Sequence, residues 1–245
     1  MLELALKGAE RGWISDPTSL TPEVMATLPL TPKFSHSEFH GPNATPKIRL
    51  IDDFKASGAN DLLSSVGTCV PPGLDEFLSL VTYMGPIGPN VELRALPGDF
   101  SRAYKTVGIP VSQSRIATIA IAPHTGNPHV ETLRTQPFGS ARAPENWGRV
   151  ANFIQFVMGR LLSAKVALYI DDVFAAEPLP TVESAYGPFT FFCSLLGCEP
   201  SPGKIQRPTK SLHLLWAEIS SYPTTSVRAF QLGAWETYCA ISDKS

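Results

Sequence analysis

The chain has 245 residues, 43% of them hydrophobic and 17% charged, with a formal net charge of -2. That content supports a real core in one large domain or two small ones, and the near-neutral charge excludes a general nucleic-acid coat, leaving room only for a local basic groove. No run of about 18 apolar residues is present to span a membrane. Met1-Leu-Glu-Leu-Ala-Leu-Lys7 lacks the basic start and long apolar stretch of a secretory leader, so an intracellular protein without membrane partners is expected. Cys69, Cys193, Cys198 and Cys239 show no Cys-x-x-Cys spacing and are too few for a disulfide framework; buried free thiols are the expectation.

Residues 15–48 carry Pro17, Pro22, Pro29, Pro32, Pro42 and Pro46 among Ser, Thr and Asn, which predicts an extended arm. After Pro71-Pro72-Gly73, the apolar positions Leu74, Phe77, Leu78, Val81 and Met84 predict a helix closed by Gly85-Pro86. A strand pair is predicted from Glu92 to Phe100 and from Gly108 through Ala122, with Gly126-Asn-Pro128 turning the chain toward Val130–Leu133. Pro144 suits the first turn of a helix, and Trp147, Val150, Ile154, Met158 and Leu161 step by three or four residues behind it. Strands follow at Val166–Tyr169 and Val173–Ala176, joined across Ile170-Asp171-Asp172. A helix then runs from about Thr181 to Leu196 with Gly197 as its stop, and Leu212–Glu218 reads as a last strand. Strand, helix, hairpin, helix, strand describes an α+β layer, an antiparallel sheet with helices on one face.

The chemistry concentrates in Tyr169-Ile-Asp-Asp172. Adjacent carboxylates inside the apolar run Lys165–Ala176 are costly unless a cation or a substrate needs them. Successive strand residues point to opposite faces, so the pair converges only if a tight turn reorients one member, and a third carboxylate is expected from elsewhere. Asp99, in the strand-like Leu96-Pro-Gly-Asp-Phe100, is the best donor. Three carboxylates on neighbouring strands holding divalent ions are equipment for phosphoryl or nucleotidyl transfer.

Three more segments accompany them: Gln136-Pro-Phe-Gly-Ser-Ala-Arg-Ala-Pro144, Leu196-Gly197 followed by Lys204, and Lys47-Ile-Arg-Leu-Ile-Asp-Asp-Phe54 upstream. In this order they resemble the catalytic palm of reverse transcriptases of the retrotransposon type, over residues 40–220. The resemblance implies a right-hand polymerase palm with partial fingers and the thumb missing. Residues 1–48 would form an arm leading into the fingers, 49–98 the fingers and the start of the palm, 99–220 the palm, and 221–245 a truncated start of the thumb. It implies an RNA-directed DNA polymerase that adds deoxynucleoside triphosphates to a primer on an RNA or DNA template, using two magnesium ions, with manganese as a substitute.

Each role is carried over by position. Asp99, Asp171 and Asp172 would be catalytic and, with the carbonyl of Phe100, hold the metal, while Lys204 would protonate the leaving pyrophosphate. Lys47 and Arg49 would hold the triphosphate, Arg49 through its planar fork. Tyr104 would exclude a ribose 2′-hydroxyl, and Phe138 and Gly139 would pass close to the nascent base pair. A buried core aromatic competes with the role of Tyr104, and equally with a bracing role for Trp216. Arg102 is a departure, a long cation three positions after Asp99 where the family has small or polar residues. The rival of another class is a decayed, non-catalytic nucleic-acid-binding fragment. A palm-type nucleotide cyclase would also use two metals, but the Pro137-Phe138-Gly139 loop and the Arg49 segment speak against it. His36 and His40, spaced for zinc only on a helix, sit in a proline-rich segment unsuited to one.

Overall fold

The computed structural model describes residues 2–15, 18–19, 21–27, 30–38, 46–64, 67–68, 70–73, 75–76, 79, 93–100, 102–121, 127–201, 211–214, 217–221 and 230–233. The elements are α1 (Leu2–Glu10), β1 (Thr18–Ser19), α2 (Pro22–Thr27), β2 (Thr31–Glu38), β3 (Lys47–Asp52), β4 (Leu93–Asp99), β5 (Thr118–Ile121), β6 (His129–Thr132), α3 (Ala143–Leu161), β7 (Val166–Tyr169), β8 (Asp172–Pro178), α4 (Val182–Leu195), β9 (Ser211–Leu214), β10 (Ala217–Ser221) and β11 (Phe230–Gly233). Helices and sheets are mixed along the chain, as an α+β reading requires. They fall into two units, one of residues 1–69 and 102–147, the other of 70–101 and 148–245.

The first unit is built on a five-stranded sheet in the order β1-β6-β5-β2-β3. Its core is Ile14, Phe54, Ala59, Ala117, Ile119, Ile121 and Leu133, with Trp13 partly buried against them. The predicted extended arm is corrected here, because it contains α2 and β2, and β2 is a full member of the sheet. Proline removes only its own ladder donor, and Lys33–Glu38 contains none. That stretch pairs antiparallel with β3 from Lys33 opposite Asp52 to Glu38 opposite Lys47, while Thr31 and Pro32 run parallel to β5. Such pairing depends on partners distant in sequence, which a local count of prolines does not register.

The strand expected from Gly108 through Ala122 is also corrected. Gly108 makes one isolated bridge to Thr135, Val111–Ala117 is a 3-10 helix, and only Thr118–Ile121 is extended. Pro110, with φ of -59°, starts that turn, and its carbonyl accepts the Gln113 N–H at 2.9 Å. Nor does β5 pair with β4; its partners are β6 and β2.

In the second unit β4, β8 and β7 form an antiparallel sheet with β8 in the middle. Val173–Glu177 are buried, as the continuous apolar run of a central strand should be. The two long helices match their predicted spans. α3 buries Trp147, Ile154 and Met158 of the expected stripe, together with Ala151 and Val157, whereas Val150 is half-buried and Leu161, at the helix end, is exposed; α4 ends where Gly197 turns left-handed at φ 68°. The Leu168 N–H donates to the Gln155 side-chain oxygen at 3.2 Å, tying β7 to α3. The single strand expected over Leu212–Glu218 is instead two, β9 and β10, antiparallel with Leu214 opposite Ala217, and β11 continues that sheet. A mostly apolar run looks the same in sequence whether it forms one strand or contributes to two paired ones. The apolar positions that define the helix expected at Leu74–Met84 lie outside the described residues.

Candidate functional site

β7 and β8 are joined by a two-residue loop, Ile170-Asp171, with Tyr169 and Asp172 as the last pair. Two-residue hairpins need positive φ at their first central position, which glycine usually supplies. Here Ile170 takes it at φ 52°, a costly conformation for a β-branched side chain. The turn reorients Asp171 away from strict alternation, so that it lies on the side of Asp172. On the other flank of β8, Asp99 is directly opposite Asp172 in the β4 register. One oxygen from each of Asp99, Asp171 and Asp172 lies within 4.8 Å of the other two, and among the described residues this is the one cluster of three metal-ligating side chains.

The backbone holds the three in place. The Phe100 N–H donates to the Asp171 carbonyl at 2.7 Å, tying the end of β4 to the hairpin loop. Ser201 reinforces Asp99 twice, with its N–H on the carbonyl at 2.7 Å and its hydroxyl on Oδ2 at 3.0 Å. Phe100 is buried and meets the Phe189 ring edge-on at 6.2 Å, so the peptide next to Asp99 is fixed by packing from α4. Oxygens sharing a magnesium ion at about 2.1 Å are separated by about 3 to 4 Å. The donor set is therefore of the right chemistry, all-oxygen and anionic, and near the right spacing. Asp171 is exposed and Asp99 and Asp172 half-buried, which leaves a side open for a ligand.

The first unit gathers a second set of the predicted residues. The Arg49 guanidinium lies 5.8 Å from the Phe138 ring centroid, and Tyr104 meets the same ring at 5.4 Å. The Asp52 N–H donates to the Phe138 carbonyl at 3.0 Å, and Asn60 brackets the loop by donating to the Gly139 carbonyl and accepting from the Ala141 N–H. Gly139 has φ 111°, and a Cβ there would sit 1.9 Å from the Asp52 carbonyl oxygen. Its lack of a side chain is thus demanded by the chain's own packing. Lys47 pairs with Glu38 in register; Lys204, Trp216 and His40 lie outside the described residues, and His36 is on a strand, so no helical zinc pair exists.

Two features were not anticipated. Ser201 carried no motif signal, since a serine after Glu-Pro reads as loop. The other is a buried charge cluster, in which the Lys33 ammonium contacts Glu131 and lies 3.4 Å from Asp52, all three side chains being nearly inaccessible. Burial raises the Asp52 and Glu131 carboxyls above their ordinary values and lowers the nearby Lys105 ammonium, the opposite charges opposing each shift. The visible hint was Asp52 within the apolar strand Arg49–Phe54. Cys193 and Cys198 are free and buried as expected, and burial, then Cys198, pushes the Cys193 thiol up to about 12. Among the described residues no helix is long and apolar enough to cross a membrane. No family model and no curated protein matches the chain.

Proposed function

We propose that the chain is a reverse-transcriptase-type nucleotidyltransferase, extending a primer 3′-hydroxyl with deoxynucleoside triphosphates. The observation that carries this reading is the convergence of Asp99, Asp171 and Asp172 at the end of a three-stranded sheet, on a hairpin loop strained at Ile170. Strain retained beside a cluster of like charges supports a functional use, because neither contributes to stability. Asp99 and Asp171 would hold magnesium, with Asp172 contributing charge beside them. When bound, the metal pair lowers the pKa of the attacking hydroxyl and balances the charge of the departing pyrophosphate. Ser201 keeps the Asp99 carboxylate oriented, and the Phe100–Asp171 backbone bond keeps the two ligating strands in step. Lys47, Arg49, Tyr104, Phe138 and Gly139 keep the nucleotide-binding roles that the resemblance implies.

A primer-extension assay with separate RNA and DNA templates tests this. Asp99→Asn and Asp171→Asn should each abolish extension in magnesium while the far-ultraviolet circular dichroism stays that of the parent, and Asp172→Asn should be milder. Near-normal extension by either of the first two variants would remove the metal assignment.

A further inference from the structure

Trp13 follows α1 after Arg11 and Gly12, and the helix end is closed by Gly12 at φ 70° and by the Trp13 N–H donating to the Gly8 carbonyl at 3.0 Å. The Trp13 carbonyl accepts from the backbone N–H groups of Arg134 at 2.8 Å and Thr135 at 3.2 Å, so the Trp13 backbone is held on both sides. Over the ring stand two cations from separate segments, with the Arg11 guanidinium carbon 4.9 Å from the centroid and that of Arg102 4.7 Å. Arg11, Arg102 and Arg134 are all exposed. None of the three is ion-paired with a carboxylate among the described residues.

Like charges drawn to one aromatic ring repel each other, and the Arg102 guanidinium is lowered by its partial burial and then by Arg11. Arg102 also occupies left-handed backbone at φ 62°, where Asn or Gly would sit more easily. Yet a guanidinium already held against indole is preorganised and has little freedom left to lose on meeting a phosphate. We propose that Arg11, Trp13, Arg102 and Arg134 form a binding site for a single-stranded nucleic acid, the arginines contacting successive phosphates and the planar groups stacking unpaired bases. Charged forks interleaved with an aromatic are how single strands are gripped without reading sequence, and paired bases would have no free face to offer. This rests on the reading of the chain as acting on nucleic acid, but the site is not the carboxylate cluster and needs no metal.

The test is fluorescence anisotropy of a labelled single-stranded RNA against the full chain in EDTA, across a salt series. Each single-strand phosphate contact adds about 0.7 to the slope of log affinity against log salt. Arg11→Gln, Arg102→Asn and Arg134→Gln combined should lower that slope by about 2, the corresponding lysine variants should keep it, and Trp13→Phe should retain most of the affinity. Asp171→Asn should bind as the parent does, so loss of catalysis and loss of this site are separable. An unchanged slope in the folded triple variant overturns the proposal, even if extension is metal-dependent. If the variant loses binding of a deoxynucleoside triphosphate but not of the strand, the proposal also falls, because the patch then serves the nucleotide.

Discussion

Gly139 shows how one hydrogen atom in place of a methyl decides a local structure. Its positive φ already penalises any L side chain, and the Asp52 carbonyl stands where Cβ would go. A backbone atom cannot swing aside as a side-chain end can, so the β3 strand or the loop must shift. Gly139→Ala should therefore cost about 2–4 kcal/mol in urea unfolding. Gly197, also at positive φ but with nothing within 4 Å of its would-be Cβ, should lose only about 1 kcal/mol on the same change. Equal losses at the two positions would mean that the close approach is not felt. The motif around Gly139 was legible from the sequence, but the atom that it makes room for was not.

Between elements, the consequential contact is the charge cluster joining β2, β3 and β6. Lys33 contacts Glu131 and neighbours Asp52, while Lys105, carried on the 3-10 helix Ala103–Thr106 beside Tyr104, lies within their field. Both carboxyls are raised chiefly by burial, Asp52 from 3.8 and Glu131 from 4.5. A carboxyl whose folded-state pKa exceeds its unfolded one stabilises the fold below the unfolded value, and that contribution is lost as pH rises through the folded one. The urea midpoint should thus fall as pH climbs upward from about 4, each unit of elevation accounting for about 1.4 kcal/mol. Glu131→Gln keeps an acceptor for Lys33 and removes the titration, so its midpoint should be flatter over the same range. A parent profile that rises with pH, or an unchanged profile in the variant, would contradict the assignment. Asp52 alone hinted at this cluster, because its partners come from β2 and β6.

For the whole molecule, a net charge of -2 gives no general attraction to a polyanion, so the proposed nucleic-acid binding rests on local groups such as the arginines around Trp13. Contacts of that kind are weakened by counterions, steeply when several phosphates are involved. Primer extension should accordingly be distributive, adding few nucleotides per encounter, and should be lost as salt is raised, before it reaches about 150 mM, where the screening length is about 8 Å. Long products formed by the chain alone at that ionic strength would show that its grip has another source.

What the sequence determined by itself is whatever depends on near neighbours. The α3 span, the α4 stop at Gly197, the β7–β8 hairpin and the three carboxylates were all legible, because helical period, glycine chemistry and the energetic oddity of Asp171-Asp172 in an apolar run act within a few residues. The tertiary structure decided the rest. It took Thr31–Glu38 out of a proline-rich segment and made it a sheet strand. It paired Ser211–Leu214 with Ala217–Ser221, brought Lys33 to a glutamate 98 positions away, and set Arg102 over Trp13. Strand pairing and buried charge are satisfied by partners remote along the chain, and only the folded arrangement selects which partner that is.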